Sequence, residues 1–188
     1  MVTINYDYNV VCKNETDVKI AYQEHKDTYV VGTTFGELFP NYEVTVTQLP
    51  QFSNYDLDVT IEDKDIAVEV KEFTIDDEKI DKYGENIMLK ADKLMNMQKA
   101  SGNKKLLYSI ILNKKEVLIF DCSKLDWGNM KLINLRQKRV QMNPNSDWVV
   151  KPTYIIPCKY AIKRVPCDFT IWCYDNLENK PTFNINAA

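Results

Sequence analysis

Two residue types that stand close together in the first half of this chain have the chemistry to act on a phosphate. Glu69 and Lys71 lie two apart in the stretch Ile66 to Phe73, whose apolar members include Ile66, Val68 and Val70. Residues two apart on a strand share a face, so this carboxylate and this ammonium project together, away from the apolar set. Upstream, Asp56 to Glu62 alternates as well, with Leu57, Val59 and Ile61 on one face and Asp56, Asp58 and Thr60 on the other. Asp63-Lys64-Asp65 reads as the turn of an antiparallel hairpin. A pivot at Lys64 brings Asp58 near Glu69 or Val70; Asp56, on the same face, is the alternative. A carboxylate pair beside a lysine on rigid strands suits Mg²⁺. This hard cation takes one or two protein carboxylates and fills its remaining positions with water and substrate phosphate. Such an ion activates a water and polarises a phosphoryl oxygen, while Lys71 orients that water or neutralises developing charge.

The Glu-x-Lys tripeptide alone carries no information, because about one is expected by chance in a chain of this composition. Glu24-His25-Lys26 and Glu62-Asp63-Lys64 match it too. Only Glu69-Val70-Lys71 lies within an apolar strand, preceded by a strand bearing an Asp and followed by a helical stretch. Residues 55–73, YDLDVTIEDKDIAVEVKEF, resemble the core of the PD-(D/E)XK nuclease superfamily, in which an Asp begins one strand and ExK lies in the next. No Pro precedes the Asp here. The resemblance implies a restriction-endonuclease-like α/β fold, a mixed sheet flanked by helices with an αβββαβ core. It implies catalytic Asp58, Glu69 and Lys71, with a metal held by Asp58, Glu69 and the Val70 carbonyl. Mg²⁺ or Mn²⁺ is the implied cofactor, and hydrolysis of DNA phosphodiester bonds, endo- or exonucleolytic, the implied reaction. Small members of the superfamily include junction resolvases, restriction subunits and phage or viral recombination nucleases, and many dimerise, so a homodimer is an expectation. The alternative is a non-catalytic nuclease-like fold that serves as a nucleic-acid-binding or protein-interaction subunit.

Many superfamily members add a helix glutamate. Glu24 and Glu37 are the candidates here, and each reads more simply as a surface acid. His25 reads as a helix histidine near the core. Lys93, on the helix after the ExK strand, reads equally as a phosphate contact or as a lysine snorkelling from an inner helix face. Arg136, Lys138 and Arg139, and the further cluster Lys159, Lys163 and Arg164, are candidates for tracking a nucleic-acid backbone, with Trp127, Trp148, Tyr154 and Tyr160 interleaved.

The elements that must position these residues follow from periodicity. A helix is expected over Glu15 to Lys26, strands over Tyr42 to Gln48, Asp56 to Glu62 and Ile66 to Phe73, and a helix over Met88 to Ser101 closed by Gly102. Leu106 to Leu112, almost wholly apolar, reads as a strand buried on both faces, followed by a strand at Val117 to Asp121. Lys131 to Met142 is open between helix and strand. Tyr154 to Ile156 reads as a strand. A nuclease-like core over residues 1–122 and an extension over 123–188 packed on it form the expected organisation, a single domain overall.

Composition narrows the chemistry. One histidine in 188 residues removes multi-His zinc sites and HExxH proteases, and no glycine-rich phosphate loop occurs. Five cysteines without CxxC spacing argue against a zinc ribbon or a disulfide framework and for a reducing, cytoplasmic compartment, or the nucleus in a eukaryotic host. The longest apolar run is too short to cross a bilayer, and no membrane partner is expected. The net charge of -3 hides a division: residues 1–85 hold 19 acidic against 7 basic residues, and residues 86–188 hold 8 against 17. Such asymmetry fits an acidic centre beside a basic flank, unless folding interleaves the halves.

Overall fold

The computed structural model describes residues 1–51, 53–76, 84–138 and 147–167. The chain runs β1 (Val2–Asn5), α1 (Glu15–Leu38), β2 (Val44–Gln48), β3 (Leu57–Ile61), β4 (Lys64–Phe73), β5 (Asn86–Lys90), α2 (Ala91–Ser101), β6 (Lys105–Leu112), β7 (Glu116–Asp121), β8 (Lys131–Lys138), β9 (Trp148–Pro157) and β10 (Lys163–Pro166). Seven strands form one mixed sheet in the order β1-β2-β3-β4-β6-β7-β10, and a second sheet has the order β5-β9-β8. The β2-β3 and β3-β4 pairs are antiparallel and β4-β6 is parallel. The expected αβββαβ succession is therefore present, from α1 to β6, with β5 inserted before α2. The chain beyond residue 122 pairs into the core through β9 on β5 and β10 on β7.

α1 starts where Asn14 accepts the Asp17 N–H at 3.0 Å, a side-chain cap for an otherwise orphan donor. It does not stop near Lys26. Gly32 and Gly36 lie inside it because β1 crosses closely: a Cβ on Gly32 would stand 2.9 Å from Ile4 Cδ1, and one on Gly36 3.1 Å from Val2 Cβ. The helix interior accepts these glycines, at a propensity cost of about 1 kcal/mol each, since they let β1 in.

Alternation along the strands sends one set of side chains to each face. Val30, Val31 and Phe35 of α1 pack on Val46, Leu57, Val59 and Val68. On the other face Leu94 and Met97 of α2, with Ile156 of β9, cover Ala67, Tyr108, Ile110 and Phe120. β6 is buried on both faces, as its sequence predicts. Each such side chain contributes about 1.5–3 kcal/mol by leaving water.

Candidate active site

The site arises from a mismatch of strand lengths. β3 has five residues and β4 ten. The last β3-β4 pair is Leu57 with Val68. Beyond it β4 keeps β6 on one side, from Glu69 opposite Tyr108 to Phe73 opposite Leu112, and loses its β3 neighbour on the other. Asp56 stands at that opening. Its N–H donates to the Val68 carbonyl at 3.0 Å, and its carboxylate Oδ2 accepts the Val70 N–H at 2.7 Å. The side chain thus continues the ladder by one rung, which satisfies a donor that the end of β3 would leave open.

The register differs from the expected one. The turn lies at Glu62 and Asp63, with Glu62 at φ 55° and Ile61 opposite Lys64, so the hairpin does not pivot at Lys64. Asp58 consequently pairs with Ala67 and sits away from Lys71; its carboxylate takes Lys104 Nζ at 2.6 Å and the Tyr55 hydroxyl at 3.1 Å. Asp56, the alternative, is the acid that comes beside Glu69.

Asp56, Glu69, Val70 and Lys71 line a cavity of about 510 Å³ whose opposite wall is α1, through Gln23, Glu24 and Asp27. The acids crowd one another. Burial, and then the charge of Asp56, raise the Glu69 carboxyl to about 8, against the opposing pull of Lys93. Burial, then Asp56 and Asp7, raise Glu24 to about 7. Asp27 also reaches about 7; burial is the main cause, opposed by a hydrogen bond from Gln23 and reinforced by Glu72 and Asp56. Glu24 is therefore not a plain surface acid, whereas Glu37 is exposed at the far end of α1. Asp27 was not foreseen. Its signal was present: Ile20, Gln23, Glu24, Asp27 and Thr28 recur at helical spacing, so a helix that continues past Lys26 turns one stripe of acids inward.

A second cavity, about 440 Å³, opens on the other side of the same strand. It shares Glu69 and Lys71 with the first and adds Lys90, Lys93, Lys151 and Gln137. Lys93 pairs with Glu69 Oε2 at 2.8 Å, and Lys151 pairs with Asp92 Oδ2. Met88, Leu89 and Lys90, expected in the helix, form β5 instead, which places Lys90 at the N-cap of α2.

The other candidates fall elsewhere. Arg136 is exposed and lies over the Trp148 ring at 5.3 Å, on the face of β8 opposite Leu135 and Gln137, so it does not enter the cavity. Lys138 belongs to β8; Arg139 lies outside the described residues. Arg164 is held by Glu116 at 2.7 Å and Glu85 at 2.8 Å, and Lys159 lies over Tyr160. His25 is fully buried; its Nε2–H donates to the Asp7 carbonyl at 2.9 Å beside Tyr6, and burial lowers its pKa. Cys12, Cys122 and Cys158 are buried free thiols.

No family model matches the sequence, and no curated protein matches it. Among solved structures, the fold is similar to that of the Holliday junction resolvase from the archaeal hyperthermophile Archaeoglobus fulgidus. That likeness has 12% identity and a TM-score of 0.44, over 75% of this chain and 91% of that one. Among the described residues no helix is long and apolar enough to cross a membrane.

Proposed function

We propose that this protein is a metal-dependent nuclease that hydrolyses nucleic-acid phosphodiester bonds, with DNA as the substrate. The observation that carries the reading is the placement of Asp56, Glu69 and Lys71 together at the opening where β3 ends and β4 continues. Asp56, the alternative acid, takes the place that the resemblance implies for Asp58.

Among the described residues no three His, Cys, Asp or Glu side chains are grouped to enclose one ion. The residues present nevertheless fit Mg²⁺ or Mn²⁺, because such ions keep several waters and need only one or two carboxylates. Two carboxylates meet here on rigid backbone, and burial first, then the charge of Asp56, raises the Glu69 carboxyl. Asp56, Glu69 and the Val70 carbonyl would hold the ion, with Glu24 facing them across the cavity. When bound, the ion supplies an acidified water and charge neutralisation at the phosphate. Lys71, two residues along the same face, orients the attacking water and neutralises charge on the phosphoryl oxygens. Lys93, on the basic side, holds Glu69 in place at 2.8 Å.

Two observations favour the non-catalytic reading: Lys93 already pairs with Glu69, and the Val70 N–H already occupies Asp56 Oδ2. Cleavage of supercoiled plasmid and single-stranded DNA in Mg²⁺, Mn²⁺ or EDTA separates the two. Cutting that requires metal and disappears in Lys71→Ala supports the nuclease. A folded wild type that cuts neither substrate, or a Lys71→Ala variant that cuts as well as wild type, removes it.

A further inference from the structure

The basic cavity holds more cationic side chains than a wall of the carboxylate site requires, and it contains an unused donor. Gln137 is 8% exposed, lines this cavity, and its Nε2 has no hydrogen-bond partner among the described residues. A buried amide left without a partner costs about 1–3 kcal/mol, so a chain that keeps one at a cavity wall has a use for it. Lys151 and Thr153 of β9 line the same wall, in register with Leu135 and Ile133 of β8. Lys90 faces them from the N-cap of α2, a helix start without a side-chain acceptor. Among the described residues neither Lys71 nor Lys90 has an ion pair, while Lys93 and Lys151 are each matched by one carboxylate. The cavity therefore carries surplus positive charge. Burial first, and then the neighbouring Lys151, Lys71 and Lys93 against the opposing charge of Asp92, hold Lys90 below the ordinary lysine range.

We propose that this cavity, between β4, the start of α2 and the β8-β9 strands, is a phosphate subsite that binds the nucleic-acid backbone next to the phosphodiester at Lys71. Lys90 and Lys151 neutralise the phosphate oxygens, and Gln137 donates its amide N–H to one of them. Lys151 has three donor hydrogens and can keep Asp92 while it serves the phosphate. The subsite rests on the nucleic-acid substrate proposed above and adds to it that β8 and β9, which lie outside the αβββαβ core, help to hold that substrate.

The test is binding of a short fluorescein-labelled single-stranded DNA, read by anisotropy in EDTA so that no cutting is needed. Wild type is compared with Lys90→Ala, Gln137→Met and Lys19→Ala, the last removing an equal charge from the exposed face of α1. Lys90→Ala is expected to weaken binding about tenfold and to reduce the salt slope by about one. Gln137→Met is expected to weaken it about fivefold while its unfolding midpoint stays level or rises, because the unpaired amide is gone; a merely structural glutamine would lower the midpoint and leave binding alone. Lys19→Ala binds as wild type. Wild-type affinity in both cavity variants, or an equal loss in Lys19→Ala, overturns the subsite. Inorganic phosphate that binds wild type tightly while the oligonucleotide does not bind also overturns it, in favour of a small-anion site. Weakened binding in a protein that never cuts retains the subsite and removes the nuclease. Cutting with unaltered Lys90→Ala binding does the reverse.

Discussion

The two cavities that meet at Glu69 and Lys71 differ in kind. The one beneath α1 is walled by Glu24, Asp27 and Asp56, and burial with mutual repulsion holds Glu24, Asp27 and Glu69 partly protonated near neutrality. The one beneath α2 is walled by Lys90, Lys93 and Lys151. The acids all come from the first 72 residues and the added lysines from residues 90–151. The charge division of the sequence is thus not averaged out by folding at this place. It survives as two adjoining pockets because β4, the strand between them, pairs with the early β3 on one side and the late β6 on the other. A cation and a phosphate placed on either side of Lys71 would each meet the charge it needs.

Substitutions at the boundary test this contrast with the largest effect. Lys71→Ala, Asp56→Asn or Glu69→Gln should each lower the rate of plasmid cutting by at least about 10²-fold, the scale of losing a charge-stabilising group. Asp56→Asn and Glu69→Gln should bind DNA in EDTA within a few-fold of wild type, and loss of binding in step with cutting would break the division of labour.

The acidic side alone should respond to pH. Glu69, Glu24 and Asp27 have folded pKa values raised above the ordinary carboxylate range, to about 8, 7 and 7. Folding therefore favours their protonated forms. The contribution is greatest below about pH 4.5 and is lost as pH rises towards 8. In EDTA the unfolding midpoint should fall by at least roughly 5 °C between pH 5 and pH 8, at least about 2 kcal/mol, and Glu69→Gln should flatten that fall. A midpoint that rises over this interval would contradict the crowding of the acids.

Metal should reverse part of the loss. At pH 8, Mg²⁺ at about a hundredfold excess over its dissociation constant should add about 2.7 kcal/mol, seen as a higher midpoint in calorimetry. Asp56→Asn should abolish that gain. The smallest effect is assigned to Asp58. Its pair with Lys104 is about one-third exposed on each side, so Asp58→Asn should cost no more than about 1 kcal/mol and leave cutting within about twofold of wild type. Equal damage from Asp56→Asn and Asp58→Asn would reopen the choice of acid.

Much of this arrangement was legible beforehand. The alternation of Leu57, Val59 and Ile61 and of Ile66, Val68 and Val70 marked the hairpin, and Leu106 to Leu112 marked the doubly buried strand beside it. What was missed has specific causes. The first helix was expected only to Lys26, because the approach of Ile4 and Val2 that makes Gly32 and Gly36 useful inside it is a long-range contact. Met88 to Lys90 read as helix, because β5 depends on pairing with β9, far away in the chain. Arg164 read as a phosphate contact, because its partners Glu85 and Glu116 are brought to it only by folding.

By itself the sequence determined which residue types are present and which share a face: Glu69 with Lys71, Asp56 with Asp58, apolar residues opposite. Those follow from the two-residue period of a strand, which is local. Tertiary structure decided which aspartate meets Glu69, since register depends on where the turn falls, and a turn at Glu62-Asp63 instead of Lys64 hands the position to Asp56. It also decided that Glu24 and Asp27 join the site and that Lys90, Lys151 and Gln137 gather on its far side, because electrostatic neighbours are set by distance in space, which no spacing along the chain encodes.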